Sequence, residues 1–296
     1  MTSSSLHTLL HTIVDYAGLF PPAGLPMETA VANYASYRRS PHAWMLGRFV
    51  VPVSRLGEMS AAMRAIGAPE DGHPWRVSAL VGDDVEGDVS KAAAFHAGHR
   101  GGLVDAFEVK ASSMEAIERI ARIVPRAMKT YVEIPVAPDP RELVGAIAAM
   151  KLRAKIRTGG VTPDAFPTVG QVAAFLRACY AASVPFKATA GLHHPVRAEC
   201  ALTYAPDPPR GVMHGFLNVF LAAAFHYNGL TIRDTRDLLV ATRLDDVVMD
   251  DERISWREYV VSVAELSTVR RRLAIAFGSC SFVEPVDDLI ALGMLS

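Results

Sequence analysis

Short apolar runs rich in β-branched and aromatic residues recur along the chain, each closed by a Gly- or Pro-rich turn and followed by a stretch with helical spacing. Eight such runs are read as strands, over residues 12–20, 45–53, 75–81, 104–110, 129–135, 153–158, 184–190 and 273–282. Helix signals separate them. Pro26 opens a helix over 27–39, Ser112-Ser113-Met114-Glu115 caps one running to Ile123, and Pro140 occupies the first turn of one over 141–150. The units repeat about every 25 to 35 residues, the scale of a parallel strand-helix-strand crossover. Strict alternation of this kind predicts a parallel sheet.

Eight strands in 296 residues predict an α/β fold, a single (β/α)8 barrel over 1–296 with its working residues at the C-terminal ends of the strands. A doubly wound open sheet would alternate in the same way, but its Gly-rich phosphate fingerprint is missing. The first turn reads Gly18-Leu19-Phe20-Pro21-Pro22-Ala23-Gly24 instead. Between Gly191 and Arg272 the chain is too long for one crossover. Segments 213–227, 232–242 and 256–271 read as helices, so 196–272 is expected to be a helical insertion capping the barrel mouth.

Half of the residues are hydrophobic, yet no apolar run approaches the ~18 residues of a membrane-spanning helix. The start, MTSSSLHTLLHTIVDYAG, lacks a basic segment followed by a long apolar stretch, so no secretory signal is expected. With 30 basic and 31 acidic residues the net charge is −1, which offers no electrostatic argument for nucleic acid or membrane as a partner. A small molecule, anionic if charged, is the expected partner. Three cysteines, Cys179, Cys200 and Cys280, follow no finger or CxxC spacing, which argues against a disulfide framework or structural zinc and makes the cytoplasm the simplest compartment. Barrel helices also offer surfaces for a homo-oligomer.

Charged residues inside barrel strands change the picture, because a packed barrel interior favours Val, Ile and Leu. Glu108 and Lys110 share one face of their strand, Glu133 lies in Tyr131-Val132-Glu133-Ile134-Pro135, Lys155 and Arg157 share a face, and so do Lys187 and Thr189. Burying several ionisable groups costs several kcal/mol each unless they pair or bind a charged ligand, so their clustering predicts an acid/base site. Two lysines on neighbouring strands have a further use. One ammonium depresses the pKa of the other, and the neutral amine then attacks a carbonyl to form a Schiff base.

Lys155-Ile156-Arg157-Thr158-Gly159-Gly160 and Lys187-Ala188-Thr189-Ala190-Gly191, preceded by Lys129-Thr130-Tyr131-Val132-Glu133, resemble the lysine strands of class I aldolases of the deoxyribose-phosphate aldolase type. The resemblance spans roughly residues 129 to 197. It implies a lyase that needs no cofactor, with Lys155 as the Schiff-base lysine and Lys187 as the lysine that tunes it. Arg157 stands where that family carries a small hydroxyl residue, and no counterpart of its Asp base is evident; Glu108 is the candidate replacement.

Other residues leave alternatives open. His193 and His194 leave the seventh strand in a loop, where one can act as an acid/base group, or either can ligate a divalent metal with Glu108, Glu133 or His214 in a metal-dependent barrel lyase, isomerase or hydrolase. Gly278 and Ser279, with Gly191 as the other wall, resemble the small-residue loops that bind phosphate or carboxylate at barrel mouths. Arg157, Thr189, His194 and His214 join them as candidate substrate contacts. His214 and Asn218 share one helix face and Arg48 clamps either a substrate anion or the barrel floor, while Arg270-Arg271-Arg272 reads as a solvated helix end. A barrel that only binds a small anion, without turnover, is the third possibility.

Overall fold

Strands buried on both faces need continuous apolar runs, and that is what closes the centre of this molecule. The computed structural model describes residues 2–67, 73–98 and 101–296. Its barrel strands are, first, β1 (Val14–Tyr16), β2 (Leu46–Pro52), β3 (Trp75–Leu80), β4 (Gly102–Lys110), β5 (Lys129–Glu133), β6 (Arg153–Arg157) and β7 (Phe186–Thr189). Four-residue strands β8 (Ala198–Ala201) and β9 (Arg210–Met213), then β10 (Val248–Met249), β11 (Arg253–Trp256) and β12 (Tyr259–Ser262), precede β13 (Ala274–Ser279), the eighth barrel strand. β1 pairs in parallel with both β2 and β13, so the sheet closes with no free edge.

Helices cover the outside: α1 (Ser4–Leu10), α2 (Met27–Tyr37), α3 (Leu56–Ala65), α4 (Val85–Gly98), α5 (Met114–Ile123), α6 (Arg141–Ala149) and α7 (Val169–Ala181), followed by α8 (Phe216–His226), α9 (Ile232–Val240), α10 (Val263–Arg272) and α11 (Val283–Ala291). The expected Ser113 cap is present, its side chain accepting the Ala116 amide. α8, Phe216-Leu217-Asn218-Val219-Phe220-Leu221 onward, is buried along its whole length, as a helix apolar on every side must be. Phe216 stacks on Phe277 of β13 at 5.0 Å, and Phe220 reaches Phe186 of β7. It is therefore an ordinary barrel helix lying against the strands.

That corrects the expected helical insertion. Residues 196–272 form a mixed segment of two short antiparallel sheets and three helices rather than a helical cap. The expected helix over 256–271 is wrong in its first half: Trp256 pairs with Tyr259 across a two-residue turn that Arg257 enters at φ +53°, and α10 begins only at Val263. The sheet of β10 to β12 is tied to α1 through Asp251, whose carboxylate accepts from the Ser4 amide at 2.8 Å. What stands at the mouth is the β8–β9 hairpin. The connecting loop sets Tyr204 Oη 2.8 Å from Glu284 of α11.

Candidate active site

Five charged side chains from five strands meet inside the barrel, and a sixth closes their row at the rim. Lys187 Nζ lies 2.5 Å from Asp15 Oδ2 and 2.6 Å from Glu108 Oε1. The other oxygen of Glu108 is 2.6 Å from Lys155 Nζ, which is 2.8 Å from Glu133 Oε2, and Glu133 meets Arg157 at 3.2 Å. Charges thus alternate along a ladder from Asp15 through Lys187, Glu108, Lys155 and Glu133 to Arg157. Strand register sets the spacing: Glu133, Lys155 and Lys187 are direct cross-strand neighbours, so their side chains enter at one level.

All but the last two members are almost completely buried. Burial alone would raise the Glu108 pKa, but the two ammoniums beside it hold the carboxyl far below the usual range. Burial would likewise strip Lys187 of its proton, yet Asp15 and Glu108 hold its pKa far above that of a free lysine. Glu133 is held low by Lys155 and then Arg157, against the effect of burial. The expected arrangement, one ammonium depressing the other, is corrected in one respect: Glu108 stands between the two lysines and Lys187 is a fixed ammonium.

Asp15 and Ser78 are the members that the sequence does not announce. Asp15 also accepts the Arg48 amide at 2.7 Å, and Ser78 Oγ donates to Glu108 Oε1 at 2.6 Å. Gly47 makes room for Asp15, since a Cβ there would lie 2.3 Å from Asp15 Oδ1. The outer end of the ladder opens into a cleft of about 620 Å³ lined by Lys110, Glu133, Arg157, Phe166, Pro167 and Gln171. Lys155 lies one ion pair behind that opening.

The remaining expected residues separate into groups. Thr189 and Gly278 are cross-strand partners beside the ladder, and Ser279 is buried next to them, its carbonyl taken by the Ala17 amide. Gly191, at φ +69°, approaches Gly159 so closely that a Cβ would sit 2.8 Å from its Cα. His193 and His194 face α11 rather than Glu108 and Glu133: their Nδ1 atoms lie 2.9 Å from Glu284 and 2.6 Å from Asp288, one helical turn apart. His214 stands behind the cleft wall and does not meet the ladder. It bonds to the Pro167 carbonyl and to Arg197, while Asn218 bonds the end of α9, so both fasten loops. Among the described residues no group of three His, Cys, Asp or Glu side chains is placed to hold a metal ion. The chain matches no known family model and no curated protein.

His194 carries a pH dependence. Hydrogen bonds to the Cys200 sulfur and, against burial, to Asp288 raise its pKa from 6.5 to about 9. A raised histidine pKa means stability that is present in full below pH 6.5 and is lost as pH climbs through about 9. Hydrogen-deuterium exchange over residues 191–197, corrected for intrinsic rates, is expected to be slow at pH 6 and to quicken above pH 9. Equal protection at both pH values would mean that the imidazolium does not hold this loop.

Proposed function

We propose that the protein is a lyase of the class I aldolase kind, acting without a cofactor on a small carbonyl compound through an imine formed on Lys155. The observation that supports it most is the bridging of two buried lysines by the single carboxylate of Glu108. Buried ion pairs are poor investments in stability, because well-packed apolar residues of the same volume serve as well or better. A whole row of them, running from mid-strand at Asp15, Lys187 and Lys155 to the C-terminal ends of β5 and β6 at Glu133 and Arg157, therefore points to chemistry.

In this reading Lys187 stays an ammonium and keeps Glu108 ionised. Lys155 hands a proton to Glu133, the partner nearest the cleft, and its neutral amine adds to the substrate carbonyl carbon. The C–N bond forms as the carbonyl π pair moves to oxygen, which takes up two protons, one from the attacking nitrogen and one returned by Glu133, and leaves as water. The resulting iminium accepts the electron pair released when the neighbouring C–H or C–C bond breaks. Glu108 and Glu133, within hydrogen-bond reach of the amine, are placed to carry protons in these steps. Arg157, about half exposed at the rim, meets the anionic end of a substrate as its contact with Glu133 opens.

A second reading, a barrel that binds a small anion without turning it over, is favoured by the saturation of the ladder, in which both lysines already have carboxylate partners. Borohydride reduction in the presence of a panel of small aldehydes, ketones and 2-oxo acids, followed by peptide mapping, separates the two. The expected product is a single adduct on Lys155. A wild-type chain left unlabelled by the whole panel would sink the imine reading and leave the second.

A further inference from the structure

The opposite end of the barrel concentrates positive charge to a degree the overall composition conceals. β2, β3, β5 and β6 each carry a basic residue near their N-terminal ends: Arg48, Arg76, Lys129 and Arg153. α10 ends in Arg270 and Arg271. These six side chains line one cavity of about 650 Å³ at the barrel floor, and among the described residues no carboxylate lines it. A single acid, Asp105, serves three of them, with Arg48 bidentate at 2.6 and 2.9 Å and Arg76 and Lys129 at 3.1 and 3.3 Å. Arg153, Arg270 and Arg271 have no carboxylate partner among the described residues.

Arg270 is the decisive member. The expected solvated helix end holds for Arg271 and Arg272, which are exposed, but not for Arg270, which is 9% exposed and folds beneath the barrel, its Nη atoms donating to the carbonyls of Ala274, Ile275 and His11. Its Nε is sealed from solvent behind the cavity, with no hydrogen-bond partner among the described residues. A buried guanidinium with no carboxylate partner among the described residues, beside further cations, is costly unless something negative offsets its charge. Hydroxyl-bearing residues line the space with the basic ones, Thr12, Ser267 and Tyr131 among them, while the Thr8 hydroxyl is already donated to the Ser4 carbonyl. The local field is also felt by His11, whose pKa is lowered by burial and then by His7, Arg270 and Arg76.

We infer that the floor of the barrel is a binding site for a small, multiply charged oxyanion, of the polyphosphate or polycarboxylate kind, separate from the ladder at the mouth. Planar guanidinium forks grip such oxygens two at a time, and a cavity of this size admits a metabolite-sized ligand. A monovalent ion cannot balance the excess charge. Arg153 lies over the ring of Tyr131 at 5.6 Å, and Lys187 lies 5.5 Å from the centre of the same ring. Occupancy of the floor is therefore felt at the inner end of the ladder.

Isothermal titration of the full chain at low ionic strength with inorganic pyrophosphate and, in parallel, citrate tests this. One-to-one binding of at least one of the two is expected, and whichever binds more tightly names the source. Arg153→Ala and Arg271→Ala, the first half-buried and the second exposed, are each expected to weaken Kd by about tenfold or more. Arg243→Ala, at a distant and exposed ion pair, should leave Kd within about twofold. The His11 imidazole resonances should move to a higher titration midpoint on saturation. Absence of binding by both anions, affinity indifferent to Arg153 and Arg271, or binding of a short single-stranded oligonucleotide without either small anion would overturn the assignment.

Discussion

Lys155→Met is expected to form no borohydride-stable adduct with any carbonyl compound that labels the wild-type chain, and to fold nonetheless. The reason lies in its place on the ladder. Removing Lys155 leaves Glu108 paired with Lys187 and Ser78, and Glu133 paired with Arg157, so neither carboxylate is orphaned. The loss in stability should be about 1–3 kcal/mol, the size of a lost charged hydrogen bond, and readable by denaturant titration. Lys155→Arg makes the sharper control, since it keeps the charge and removes the nucleophile. An adduct that survives in Lys155→Arg and maps to Lys187 would transfer the nucleophile's role to Lys187.

Lys187→Met should behave in the opposite way. It is expected to destabilise the fold by about 3–5 kcal/mol, because it takes from the buried Asp15 carboxylate its ion-pair partner, whereas Glu108 keeps Lys155 and Ser78. The penalty follows from charge, so it should narrow as pH falls through the ordinary carboxylate range near 4, where the orphaned carboxylate regains its proton. Adding Asp15→Asn to Lys187→Met should recover part of the loss, since the amide keeps an acceptor for the Arg48 N–H without the charge. Denaturation midpoints of the single and double variants at pH 7 and pH 4 check all three statements. A deficit under 1 kcal/mol at pH 7 would mean that water reaches Asp15 and solvates it.

The barrel was largely legible in the sequence because each strand had to be apolar enough to be covered on both faces and each turn needed Gly or Pro. The same contrast made Glu108, Glu133, Lys155 and Lys187 visible, as charges standing in otherwise apolar strands. Asp15 and Ser78 were not visible as partners for a physical reason: their meaning depends on closure. Asp15 reaches Lys187 across 172 residues of sequence only because β1 completes the ring beside β13, and Ser78 is too small and neutral to stand out. The stretch around Trp256 was misread because its apolar spacing continues smoothly into α10, whereas Arg257 takes up a left-handed turn that periodicity does not encode. His214 and Asn218 share a helix face when read locally, but where that face points is settled by partners, Pro167, Arg197 and the end of α9, that come from elsewhere in the chain.

The even number of rungs in the ladder has a consequence for how this sequence can drift. Opposite signs in strict alternation make the row electrically neutral as a whole, and cutting it at an inner rung leaves two fragments of which at least one carries an odd charge. Cutting at the outer end does the least harm, because Arg157 is half in solvent and Glu133 keeps Lys155. The inner end is not equivalent, since Asp15 is also pinned by the Arg48 amide and by the missing side chain at Gly47. Variation among descendants of this chain is thus channelled to the rim: Arg157 is free to be exchanged for a residue suited to a different substrate, while Asp15 and Lys187 at the inner end can change only as a compensated pair.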